Sequence, residues 1–248
     1  MGAGSTQTTG TGTADLLAAA GVGFGDEVIV PSYGTTEIAD AVRALGAIPV
    51  FADIDATSYC LAPASVAEAM TERTAAIVPI DLFGHPADVT ALQALAGARP
   101  LPVIPHIEQR PSESAGALQR RRSNAAYLDG RLTGVLTPRT APGAEHRYHS
   151  YVVRVPGNGR PDRDAFARAL RARGVRCSVP VTTPVHRMPA YARDMTDALR
   201  EVRLPETERA AEQCLALPVD AGMTRRELHH VASACNALGG LLPYGVAA

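Results

Sequence analysis

The sequence predicts an α/β protein with a parallel-sheet lobe over residues 1–110, a linking helix over 111–134 and a smaller α+β lobe over 135–248. Three observations predict it. Short apolar runs alternate with segments of helical periodicity through the first lobe, the pattern of a parallel sheet with helices on its faces. Glycine or proline marks most changes of pattern. After Arg110 the rhythm changes to one long helix, a Pro/Gly-rich link, a strand–helix–strand succession and two closing helices.

Residues 1–13 are rich in Gly, Ser and Thr and offer little to bury, so they read as a frayed terminus or a loop into a helix beginning at Asp15. Glu27–Val30 is a short buried strand ended by Pro31, and Ile38, Ala39, Val42 and Leu45 share one face of a helix stopped by Gly46. Ile48–Ile54 is a second strand, Ser65–Met70 a short helix and Ala75–Ile80 a third strand. Pro86 opens a helix at its tolerated first position, and Leu101–Ile104 is a fourth strand. Beyond it lie an amphipathic helix over Ala115–Leu132, strands at Tyr148–Val155 and Val175–Val181, and a helix over Arg163–Arg173 between them. Thr224 and Glu227 form a capping box that starts the last helix.

Composition narrows the function classes. A net charge of −1 and the absence of a basic stripe argue against nucleic acid as a partner; Arg120–Arg122 reads as a solvated helix face. Four scattered cysteines with no CxxC pair make a disulfide framework or a zinc site unexpected, and no metal is expected. There is no signal-peptide pattern, and the longest weakly apolar run, Leu16–Phe24, is too short to cross a bilayer. The expectation is a cytoplasmic protein without a membrane partner. No nucleotide-binding, lipase-type or zinc-protease motif occurs. All 24 basic residues are arginine. The chain therefore has no lysine amine to form an imine, and arginine, protonated at any working pH, cannot replace one.

Three blocks carry a resemblance: Gly25–Ser32 (GDEVIVPS), Ala47–Asp55 (AIPVFADID) and Leu82–Asp88 (LFGHPAD). With His149–Arg154 (HSYVVR) and Pro184–Tyr191 (PVHRMPAY) they resemble, in order and over most of the chain, the DegT/DnrJ/EryC1/StrS aminotransferase family. The resemblance implies a truncated aminotransferase-like fold and a dimer whose relatives bind pyridoxal phosphate near the interface. It also implies where that coenzyme's contacts would fall. The stretch bearing the Schiff-base lysine is missing, because Val103-Ile104 is followed within a dozen residues by the linking helix. His106 stands at the position of the aspartate that keeps the pyridine nitrogen protonated, and Thr35 at that of the stacking aromatic. Gly12-Thr13 resembles the family's phosphate-binding turn. Some relatives are dehydratases with histidine in place of the lysine, but here lysine block, aspartate and aromatic are altered together. The expected cofactor is therefore none.

What remains is acid–base chemistry. His106 and Glu108 fall at the carboxyl end of a predicted parallel strand, where open α/β sheets place ligands, and alternate residues of an extended segment share a side. They are the candidate catalytic pair, with Tyr33, Thr35, Gln109 and His186 as candidate substrate contacts. His149 reads as structural, and the adjacent His229-His230 point in different directions on a helix. One reading is a cofactor-independent enzyme of bacterial natural-product biosynthesis that cyclises, isomerises or eliminates on a small-molecule intermediate. Another is a non-catalytic pseudo-aminotransferase, a homodimer or the heterodimer partner of an aminotransferase-like protein. A third, decay, fits poorly with well-formed motifs in both lobes.

Overall fold

A computed structural model of the chain describes residues 12–97, 101–106, 114–156, 163–192 and 203–239. The first lobe is built on three parallel strands in the order β2-β1-β3: β1 Glu27–Pro31, β2 Ile48–Ala52 and β3 Thr74–Ile77. All five residues of β1 are buried, as a central strand covered on both faces requires. Helices α1 Thr13–Ala19, α2 Glu37–Ala44, α3 Pro63–Ala69 and α4 Val89–Ala96 lie between and beside the strands. In α2 the buried residues are Ile38, Ala39 and Val42, the face expected from their spacing.

The second half contains α5 Ala115–Asp129, β4 Tyr151–Arg154, α6 Arg163–Ala172, the short α7 Pro189–Ala192, α8 Pro205–Gln213, β5 Cys214–Leu217 and α9 Arg225–Gly239. Strands β4 and β5 pair antiparallel, Tyr151 opposite Leu217 and Arg154 opposite Cys214. The helices of this half bury Ala125, Leu128, Leu170 and Leu228 in one cluster with Tyr151, Val153 and Leu215. Another cluster joins first-lobe residues such as Val30, Tyr33 and Phe51 to Val152, Val185, Tyr191 and Ala210 of the second half.

Several elements differ from the sequence expectation. The predicted strand Leu101–Ile104 lies beside β3 with parallel bonds: Ile77 N–H donates to Pro102 O (3.0 Å) and Ile104 N–H to Ile77 O (2.9 Å). It makes only isolated bridges, Ile77 to Val103 and Ile80 to His106. Pro102 and Pro105 have no N–H to extend the ladder. Val175–Val181 likewise reduces to the bridge Ser178–Ala216. Helix α4 starts at Val89, not Pro86, because the Asp88 carboxylate accepts from Ala91 N (2.9 Å) and caps it. Helix α5 is amphipathic only toward its end, where Ala125 and Leu128 are buried.

At Gly84, φ is +92° and an added Cβ would lie 2.8 Å from His149 N. Only glycine fits there, and the close approach pins the loop after β3 to the segment entering β4.

Candidate active site

The first-lobe strands all end at one edge of the sheet, and the residues that follow them divide that edge into two parts. On the β2–β1 side the second half of the chain covers it. Ser32, one residue beyond β1 and fully buried, shares a 2.5 Å hydrogen bond with His186 Nδ1, and its Oγ accepts from His186 N (3.0 Å). Asp53, one residue beyond β2, accepts from Glu206 N (2.9 Å) and Thr207 N (2.8 Å) at the start of α8. On the β3 side the edge carries His106, whose N–H donates to Pro79 O (2.8 Å).

His106 is buried and held from two helix starts. Its Nδ1 lies 2.7 Å from Thr13 Oγ1 at the beginning of α1. Its Nε2 lies 3.9 Å from the Glu37 carboxylate at the beginning of α2. The Glu37 side chain is 70% exposed against 9% for His106, so of the pair only the carboxylate lies well out in solvent. When Nδ1–H donates to Thr13, Nε2 has a free lone pair, with the Glu37 carboxylate 3.9 Å away, the disposition of a general base.

The other expected contacts disperse. Thr35 is exposed in the loop before α2, two residues from Glu37. Tyr33 is fully buried with its hydroxyl on Ala210 O (3.4 Å) and its ring against Tyr59 and Phe83, so it is a core residue with no surface for a substrate. His186 belongs to the joint with Ser32, not to a substrate-facing loop; burial holds it below its ordinary pKa, with Arg187 adding to the effect and Glu208 opposing it. Glu108 and Gln109 lie outside the described residues. Glu37 was the residue missed in the sequence, where it reads as an ordinary acidic residue in a helix's first turn.

A second histidine group sits where the loop after β3 meets the segment entering β4. His85 Nδ1 is 2.8 Å from Pro86 O, and His85 Nε2 accepts from Ala141 N (3.2 Å). His146 accepts from Tyr148 N (2.8 Å) and stacks on Tyr148 with ring centroids 4.0 Å apart. Burial, then His85, His149 and Arg122, push His146 down to about 3. A histidine whose folded pKa is depressed keeps its full contribution above the unfolded value, 6.5, and loses it as pH falls toward 3. Urea midpoints are therefore expected to fall between pH 7.5 and pH 5 in the parent and to fall less in His146→Asn, which keeps an acceptor for Tyr148 N. Equal falls would contradict this assignment.

Among the described residues, no group of three or more His, Cys, Asp or Glu side chains is placed to hold a metal ion, and no helix is long and apolar enough to cross a membrane. All four cysteines are free.

A parallel sheet with its polar cluster at the strands' carboxyl ends, its edge partly covered by a second half, defines an open α/β protein with its site where such sheets place ligands. The family model described as "DegT/DnrJ/EryC1/StrS aminotransferase family" matches residues 2–106 and 113–236. The chain belongs to that family. It is 28% identical to the erythromycin biosynthesis sensory transduction protein EryC1 of Saccharopolyspora erythraea, over 87% of this chain and 80% of that one. It is 47% identical to the L-glutamine:2-deoxy-scyllo-inosose aminotransferase of Streptomyces lividus over 97 residues, 38% of this chain and 23% of the relative. Among solved structures it resembles DesV of S. venezuelae, in complex with a ketimine intermediate (TM-score 0.80, 25% identity, 94% of this chain and 84% of that one). It also shares its fold with 3-amino-5-hydroxybenzoic acid synthase (TM-score 0.79, 20% identity, 92% and 84%). The alignment with EryC1 spans 299 positions, more than the 248 residues of this chain, so the relative carries residues this chain lacks. The family match is interrupted just after His106.

The residues present do not fit pyridoxal phosphate as the family resemblance would hold it. There is no lysine. Where the resemblance expects a carboxylate, an imidazole is tied to the Thr13 hydroxyl. At the expected phosphate turn, Gly12 N–H is taken by the Asp15 carboxylate (3.1 Å), which sets a negative charge at the helix start that a phosphate would need.

Proposed function

We propose that this aminotransferase-family protein has given up pyridoxal phosphate chemistry and works as a cofactor-independent acid–base enzyme of bacterial natural-product biosynthesis. The observation that carries the reading is the Thr13–His106–Glu37 array, which stands where the resemblance puts coenzyme contacts. Relatives named for 2-deoxy-scyllo-inosose and for UDP-2-acetamido-2-deoxy-3-oxo-D-glucuronate act on ketones, and a keto intermediate is the substrate class inferred here. Protons beside a carbonyl are acidic enough for a positioned base. His106 Nε2 takes such a proton while the C–H electron pair passes into the enolate, and its return to carbon or loss of a neighbouring leaving group gives isomerisation or elimination.

The test needs no knowledge of the final product. In deuterium oxide with 2-deoxy-scyllo-inosose, the protein is expected to accelerate replacement of the protons flanking the ketone, read by the loss of their NMR signals. No acceleration on this or on a 3-keto nucleotide sugar, with protein at substrate concentration, would sink the reading.

One feature favours a second, non-catalytic role as partner of an aminotransferase-like protein or of a second copy. Phe24 is 95% exposed and Leu16 on α1 is 41% exposed, apolar surface that an interface would bury. Under this reading the exchange assay is silent, while Phe24→Asp abolishes association on a sizing column.

A further inference from the structure

A cleft of about 430 Å3 opens in the second half of the chain, within the size range of small-molecule sites. Its polar lining comes from four separate places: Arg121 on α5, His149 and Ser150 ahead of β4, Arg176 and Ser178 after α6, and Asp220 beyond β5. The 216–219 segment supplies an apolar floor.

Direct hydrogen bonds hold these walls together. Asn124 Nδ2 donates to Asp220 O (2.8 Å), tying α5 to the turn after β5. Arg122 Nε donates to His146 O (2.9 Å), tying α5 to the segment that carries His149. Ser178 and Ala216 exchange both backbone bonds, at 3.1 and 2.8 Å. A cleft held in this way needs little ordering on binding. Its lining brings two guanidiniums beside the Asp220 carboxylate, with Arg176 also near enough to Glu227 to help lower that carboxyl's pKa, and the planar fork of arginine matches phosphate oxygens.

We propose that this cleft binds a small phosphate monoester, with Arg121 and Arg176 on the phosphate and Ser150, Ser178 and Asp220 toward polar groups of the ester. Two arginines from different elements suit a dianion better than a single carboxylate, which one fork satisfies alone. The site is independent of the His106 reading.

Calorimetric titration of the full chain with inorganic phosphate and with glycerol 3-phosphate tests it. Both are expected to bind saturably, and Arg176→Gln to weaken both by roughly tenfold, the loss of one charge-assisted contact. Arg176 and Ser178 are exposed, so Arg176→Gln and Ser178→Ala leave the core untouched. His106→Ala is expected to bind phosphate as the parent does, which separates this site from the proposed acid–base centre. Absence of saturable phosphate binding overturns the proposal. So does unchanged affinity in both Arg176→Gln and Ser178→Ala, or succinate binding as tightly as phosphate.

Discussion

His106→Ala is expected to slow protein-catalysed deuterium exchange beside the ketone of 2-deoxy-scyllo-inosose by about two to four orders of magnitude, the usual worth of a positioned general base. The imidazole is held at Nδ1 by the Thr13 hydroxyl and faces the Glu37 carboxylate at Nε2, so no other group in this array offers a neutral nitrogen base. His106→Asn should be as slow, because an amide can still contact Thr13 but cannot take the proton. Glu37→Gln keeps the base and removes only an exposed carboxylate 3.9 Å from it, so its loss should be much smaller, roughly threefold or less. Because Glu37 is exposed, that variant also separates chemistry from folding. Exchange rates in His106→Asn equal to the parent's would remove His106 from the mechanism.

Asp53→Ala should cost about 3 kcal/mol of stability, read as a lower urea midpoint, from the loss of a carboxylate serving three backbone amides. Helix α8 begins with Pro205, which has no N–H, and the next two amides, of Glu206 and Thr207, both donate to Asp53. Asp53 also accepts from Ile54 N (2.9 Å). The residue acts as the N-cap of a helix more than 150 positions away, with its charge at the positive end of that helix. Asp53→Asn retains one acceptor oxygen and should fall between alanine and the parent. A midpoint for Asp53→Ala within error of the parent's would show that solvent replaces the cap without cost.

These two residues also show what a sequence can and cannot disclose. His106 was legible because it follows an apolar strand and occupies a recognisable place in an ordered set of motifs. Its partners were not: Thr13 lies 93 positions away, and Glu37 resembles any acid in a helix's first turn. The parallel lobe was readable because Gly25, Pro31 and Gly46 mark its elements at short range. Strand β5 was missed because Cys214–Leu217 follows helix α8 with no glycine or proline between them. The strand expected at Leu101–Ile104 had the right hydrophobicity, but Pro102 within it and Pro105 just after it withhold ladder donors. Tyr33 reads in the sequence either as lining the old cofactor pocket or as simply packing; the second holds, because the second half packs over it, which local sequence could not reveal.

Equilibrium dialysis of the purified protein against pyridoxal phosphate and pyridoxamine phosphate shows whether the chain retains either compound. With no lysine, an imidazole where a carboxylate is expected and Asp15 on the Gly12 amide, neither compound should be retained above a protein-free control, and no shifted absorbance band should develop. Saturable retention of either at one equivalent per chain, weakened by His106→Ala, would contradict the account.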